Sequence, residues 1–378
     1  MTSIPITTHR RLREFVGPFS FLLLSGVLAA CADDAPSGPG EPADKGVFVL
    51  NSTGQTLAAF SVGETLRSVG TPIDLGAGFD GDAFDHSEAF AVTTVSSFGG
   101  SRVLFVDLDS GDILTSLFPD PEADHANPSA PSFDGGGTVW VGGRDSDAIY
   151  RVDPGDPMVQ NIADGVGTFI ERVVPVGQLL YAVDANIDDD GGTYQPLGPG
   201  RIVVLSRTGL PQEVIDLPGD ALNPTDALEA DGKLIVLAAG TFDPGTFQPL
   251  NDGVLAIVDI DDRTVDATVA LVANGVSLEL GADGFVYVSA TSDFSELHVL
   301  RFDPTTSSFD RGPDDPIDVT GAAGERVECW SATAVRDGRI LCTTFSFAEA
   351  GRLVLTDANG AFIDEVPSGF GSTDLGLR

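Results

Sequence analysis

The sequence predicts an all-β fold, a seven-bladed β-propeller closed by strands from both termini. Three observations carry this. A β-unit of about 45 to 55 residues recurs along the chain. The 45 Gly and 24 Pro among 378 residues supply the turns such a fold needs. Finally, three strands near the N-terminus lack an inner partner that one strand at the C-terminus can provide. With 42% hydrophobic residues the chain can build a sizeable core. Its 57 acidic against 20 basic side chains, net −37, would repel a phosphate backbone and exclude a nucleic-acid binder.

Residues 1–30 read as a secretory signal. Arg10, Arg11 and Arg13 precede an apolar run from Phe15 to Ala30 that Gly and Pro interrupt and that is short for a membrane span. The run ends Leu28-Ala29-Ala30-Cys31, which resembles the bacterial lipobox. That resemblance implies cleavage before Cys31 and lipidation of its thiol. An ordinary signal peptide with a chance Cys is the alternative, and Arg10-Arg11 hints at twin-arginine export. Acyl chains contributing about 0.8 kcal/mol per buried CH₂ hold a protein on a bilayer without a spanning helix. Ala32 favours the outer membrane by lipoprotein sorting logic, and Asp33-Asp34 weakly resemble surface-export tags, so either the periplasmic face or the cell surface is expected. Residues 31–45 form the lipidated Cys and a flexible Pro/Gly linker. The acidic body that follows should be repelled by anionic headgroups, leaving the lipid as the membrane contact.

Residues 46–378 hold the repeats. The clearest units are Asp231-Gly232 with the strand ending at Asp259, Asp283-Gly284 with the one ending at Asp303, and Asp337-Gly338 with the one ending at Asp357. Weaker copies start near Phe84, Asp134 and Gly177. Asp-Gly suits a hairpin because its turn needs positive φ. Asp107, Asp153, Asp259, Asp303 and Asp357 share one place in their repeats and are expected to form turns through their carboxylates rather than to act as catalytic acids. Six complete units run from about Gly78 to Gly369. The seventh joins strands around Val47–Asn51, Thr56–Ser61 and Arg67–Leu75 to Ser372–Arg378, removing open sheet edges.

These repeats resemble YVTN-type seven-bladed propellers over nearly all of the mature chain. Together with the lipobox they are similar to bacterial surface lipoproteins of that class, some of which capture a nutrient such as a corrinoid above an outer-membrane transporter. The resemblance is one of fold and carries no ligand residue with it.

Candidate site residues come from loops at one face. Two long second-to-third-strand loops each contain Thr, an aromatic and Gln-Pro-Leu, which places Tyr194 and Phe247 on adjacent blades as an aromatic ledge, or as anchors packing their own loops. Asn186, Asp188 and Asp190, followed by Gly191, alternate oxygen ligands as a calcium loop does, although Leu197 stands where a closing Glu would be. A solvated acidic loop is the plainer alternative. Loops between blades bring Glu122, Asp124 and His125, then Phe169, Glu171 and Arg172, then Asp226, then Arg326, Glu328 and Trp330 toward the central channel. Arg172 and Arg326 could clamp an anion or pair with Glu171 and Glu328.

No catalytic constellation is legible. His86, His125 and His298 lie in different repeats, and neither a His-x-x-x-His nor a Gly-x-Ser-x-Gly pattern occurs. For Cys329 and Cys342, an Asp337-Gly338 two-residue turn would set Cys342 opposite Thr333. Cys329 would then lie four residues further, roughly 13 Å along the strand, beyond the about 7 Å that a bridge spans. Two buried thiols are therefore expected. The sequence as a whole points to a membrane-anchored, monomeric binding or protein-interaction module, with a transporter or another surface protein as partner. The alternatives are a divalent-cation-dependent hydrolase of the lactonase type and a purely structural surface protein.

Overall fold

The computed structural model describes residues 46–76, 81, 83–96, 101–118, 127–188, 195–346 and 348–378. Cys31, the segments 1–30 and 31–45, Glu122, Asp124, His125, Asp190 and Tyr194 lie outside the described residues. Within them every regular element is a strand, and no helix is long and apolar enough to cross a membrane.

Seven antiparallel sheets form the blades, six of four strands and the closing one of five, in which Ile73–Asp74 continues the outer edge beside Leu66–Ser68. Blade 1 begins at Phe84–His86, blade 2 at Ser132–Phe133, blade 3 at Ile170–Val176, blade 4 at Pro224–Ala230, blade 5 at Asn274–Leu280 and blade 6 at Ser331–Ala334. Blade 7 has Ser372–Leu377 innermost, then Val47–Asn51, Thr56–Val62 and Leu66–Ser68 outward. Val49 pairs with Leu375 in that ladder, so the last strand of the chain closes the ring onto the first, as the sequence predicts.

The apolar strands follow from burial on both faces. Leu234, Val236 and Ala238 of blade 4 pack toward blade 3, while Ile235 and Leu237, the intervening residues, pack toward blade 5. Period-2 alternation therefore places apolar residues on each face of one strand. The same arrangement gives one strip of core between each adjacent pair of blades, with Phe48, Leu50 and Leu104 joining blades 7 and 1 and Val49, Phe60 and Leu353 joining blades 6 and 7.

The turns divide into two kinds. Asp231-Gly232 is a two-residue hairpin with both residues at positive φ, 52° and 74°, as the sequence predicts. Asp283-Gly284 and Asp337-Gly338 sit in three-residue loops, in which only the Gly is left-handed: Gly284 at 87° and Gly338 at 83°. The carboxylates of Asp107, Asp259, Asp303 and Asp357 accept turn N–H groups. Asp153 departs from this pattern, accepting from the Thr138 hydroxyl at 2.5 Å and pairing with Arg151 at 2.9 Å.

The cysteine expectation is corrected. Cys329 and Cys342 form a disulfide with a Cα–Cα distance of 5.4 Å, and both are fully buried. The loop Arg336-Asp337-Gly338 has three residues, with Val335 N–H donating to Arg339 O and register shifted by one, so Cys342 faces Ala332 and not Thr333. In addition, the ladder stops at Ser331. Cys329 precedes it on a segment that leaves the strand direction, so distance along an extended strand does not apply.

Candidate functional site

The inner strands line a channel of about 950 Å³. A bulge recurs at one level of several of them, with a register break between Ile170 and Arg172, between Pro224 and Asp226, between Gly275 and Ser277, and where Ser372 to Asp374 face Asn51 and Leu50. A bulge inserts one residue and re-aims the next side chain. Arg172, Asp226, Ser277 and Asp374 thereby occupy equivalent places, and all four line the channel together with Asp85, His86 and Glu279.

Most of these carboxylates stitch strands. The Oδ1 atoms of Asp85, Asp226 and Asp374 accept the next residue's N–H at 2.7 to 2.8 Å. The second oxygen of Asp374 accepts from Phe84 N–H at 2.9 Å, crossing from blade 7 to blade 1, and that of Asp85 accepts from Phe133 N–H at 2.7 Å, crossing from blade 1 to blade 2. Arg172 Nε stands 3.6 Å from Asp226, and the two side chains retain 17% and 28% of their surface open. Glu279 caps no backbone N–H, but it accepts the Ser331 hydroxyl at 3.2 Å, crossing from blade 5 to blade 6, and shares a hydrogen bond with Asp374.

Burial governs the protonation of this ring. It pushes Asp374 up to about 6 and raises Glu279 well above the usual carboxylate range, with the neighbouring Asp374 charge adding to the rise. Burial also raises Asp226, against the pull of Arg172. For Arg172 burial acts downward, but the carboxylates of Asp226, Asp85, Asp374 and Glu279 outweigh it and hold the guanidinium charged. His86, between the rings of Phe48 and Phe84, is lowered by burial despite Asp85. Three buried polar atoms of the lining, Arg172 Nε, Ser277 Oγ and Thr373 Oγ1, have no hydrogen-bond partner among the described residues.

Aromatic side chains occupy one end. Trp330 and Phe345 lie 4.8 Å apart at 31°, and Phe294 joins them in the lining. Phe242 of blade 4 stacks on Phe294 of blade 5 at 5.7 Å and 7°. The loops between second and third strands carry Phe294 and Phe345, which marks this end as the face named from the sequence.

The structure distributes the sequence-predicted residues unevenly. Arg172, Asp226 and Trp330 reach the channel. Arg172 pairs with Asp226 rather than Glu171, because Glu171, on the bulge, turns to Arg144 at 2.6 Å. Arg326 pairs with Glu328 at 3.5 Å, one of the two alternatives read from the sequence, and contacts Leu297 O and His298 Nδ1. Phe169 is buried beside Ala185 and Ile187. Phe247 is 73% exposed at φ 57°, away from the channel lining. Asn186 uses its amide to donate to Pro199 O, and Ile187–Asp188 form a short strand with Gln195–Pro196. Among the described residues no three His, Cys, Asp or Glu side chains are grouped to hold a metal ion.

Sequence reading missed Asp85, Glu279, Asp374, Phe294 and Phe345. A signal for the first and third existed: Pro-Thr-Asp226 and Ser-Thr-Asp374 repeat one pattern, and Phe84-Asp85-His86 places an Asp at the corresponding point of blade 1. Glu279 lies outside that pattern.

No protein-family model matches the chain, and no curated protein does. Solved propellers do. A protein from Bacteroides fragilis described as a 6-phosphogluconolactonase aligns with TM-score 0.56 at 13% identity, over 90% of this chain and 99% of its own. A streptogramin B lyase aligns with TM-score 0.55 at 11% identity, over 89% and 91%. A virginiamycin B lyase from Staphylococcus aureus, solved with quinupristin, aligns with TM-score 0.54 at 12% identity, over 79% and 88%. At such identities the likeness is of fold. The chain is a seven-bladed β-propeller with a charged central channel.

Proposed function

We propose that this protein is an extracytoplasmic, lipid-anchored propeller that binds a small ligand in its central channel. The observation that carries the reading is the channel itself: about 950 Å³, walled by aromatics at one end, with three unpartnered polar atoms and a ring of charges within. This is the usual size and composition of a small-molecule site. The anchor rests on Leu28-Ala29-Ala30-Cys31, and the Cys329–Cys342 disulfide suits an oxidising compartment. An outer-membrane transporter receiving the ligand is the partner this reading favours.

A second reading has one specific observation behind it. Glu279 and Asp374 share a hydrogen bond and both titrate above ordinary carboxylates, an arrangement that can serve acid–base catalysis. A lactonase-type or lyase-type enzyme would use that pair, and two of the similar folds carry enzyme names of those kinds.

The experiment is to purify the lipidated protein from its own membranes in mild detergent, denature it, and analyse released small molecules and co-purifying proteins by mass spectrometry. A stoichiometric compound, absent from a Trp330→Ala preparation, is the expected result. A protein that yields no compound overturns the capture reading. Turnover of a lactone panel that Glu279→Gln abolishes would replace it by the enzymatic one.

A further inference from the structure

The charges of the channel do not balance. Among the described residues its lining contains four carboxyl groups, those of Asp85, Asp226, Glu279 and Asp374. Of its two guanidinium groups, Arg144 is matched by Glu171 at 2.6 Å and Arg172 faces Asp226. His86 is held toward its neutral form. Among the described residues no basic side chain stands within ion-pair distance of Asp85, Glu279 or Asp374, and the charge of Arg172 acts on them only from further off. Asp85 and Asp374 have a structural explanation, since their oxygens cap backbone N–H groups of the next inner strands. Glu279 caps none. Placing an acid beside Asp374 in a confined site costs free energy that a neutral residue of the same shape would not.

The position of Glu279 supplies the second half of the argument. Its carboxyl accepts from Ser331, and the residue before Ser331 is Trp330. The acid pair and the aromatic group formed by Trp330, Phe345 and Phe294 thus line one cavity. A carboxyl pair and aromatic faces sharing a cavity suit one ligand chemistry: a cation, attracted by the carboxylates and by the ring quadrupoles, on an apolar body that covers the rings. An anionic ligand would meet uncompensated acids, and a neutral sugar would leave the acid pair without a charge partner.

We infer that the channel takes an organic cation, its ammonium or guanidinium group held by Glu279 and Asp374 and its apolar or aromatic body laid against Trp330, Phe345 and Phe294. This rests on the channel being the ligand site, and the test separates the two. The probes are 4-phenylbutylamine, the neutral 4-phenylbutan-1-ol and the anionic 4-phenylbutyrate, each titrated up to 10 mM into the whole protein by calorimetry and by tryptophan fluorescence, with Trp330→Phe identifying the Trp330 signal. The amine is expected to bind at least ten-fold more tightly than the alcohol, and the carboxylate not at all. Glu279→Gln should erase the preference for the amine while leaving the alcohol's affinity unchanged. Should that variant fail to fold, the comparison of probes on the native protein still decides the charge preference, and Asp374→Asn replaces it.

An alcohol or carboxylate binding as tightly as the amine overturns the cation assignment and leaves the channel as the site. Amine preference retained in Glu279→Gln overturns the role given to Glu279. If none of the three probes binds or perturbs Trp330, both the ligand class and the channel reading fail.

Discussion

Cys329 is bonded to Cys342 across the inner edge of blade 6, and the residue that follows Cys329 is Trp330, whose ring lies 4.8 Å from Phe345 in the channel. The covalent link fixes the chain just where the aromatic group begins, so an element of stability and an element of the candidate site share one point.

Removing the bridge should therefore have two effects. Cys329→Ala/Cys342→Ala closes no loop in the unfolded chain and should lose about 3 kcal/mol, as expected for a loop with a sequence separation of 13. It should also shift Trp330 emission. Urea denaturation with and without dithiothreitol checks this: the native protein should weaken on reduction and the double variant should not respond.

Channel acids should set the pH dependence at the alkaline side. Asp374, raised to about 6 from 3.8, and Glu279, raised further from its own ordinary value, bind protons in the folded chain that the unfolded chain has released. Stability contributed by these groups is full at low pH and falls as pH rises from about 4 through 6 and beyond. Glu279→Gln cannot ionise, so it should be more stable than the native protein at pH 8 and match it at pH 4. Urea midpoints at pH 4, 6 and 8 test the sign. The surface carboxylates of Asp337 and Glu325, held low by Arg339 and Arg352, act the other way and weaken the fold only as acid is added.

Close approach between blades 2 and 3 depends on a missing side chain. A Cβ on Gly142 would stand 2.9 Å from both the Cβ and the carbonyl oxygen of Ile170. Gly142→Ala should cost about 1–3 kcal/mol, whereas Gly135→Ala, facing open space, should stay within about 0.5 kcal/mol. Thermal unfolding of the two variants side by side provides the comparison.

Closure of the ring should matter more than any one contact. Deleting residues 372–378 strips the inner neighbour from Val47–Asn51 and removes the buried Leu375. Loss of cooperative unfolding and association through the bared edge are expected in size-exclusion and calorimetric runs. Leu375→Ala alone should cost about 2–5 kcal/mol.

Architecture was legible because it repeats. Strand patterns such as Lys-Leu-Ile-Val-Leu-Ala and the Asp at or just after the end of five third strands recur often enough to fix blade number and the contribution of both termini. The site was legible only in part. Arg172, Asp226 and Trp330 announce themselves by type and by place, but Glu279 is an ordinary acid in an ordinary strand until a bulge turns its neighbours inward. Register, too, hides in loop length: one more residue between Val335 and Arg339 was enough to bring Cys342 opposite Ala332.

The closing blade also brings the two ends of the described chain to one pole. Arg378 N–H donates to Gly46 O at 3.0 Å, at the end of the inner strand opposite Ser372. Ser52 and the aromatic side chains stand at the other pole, so the bowl of rings opens on the face turned away from that junction.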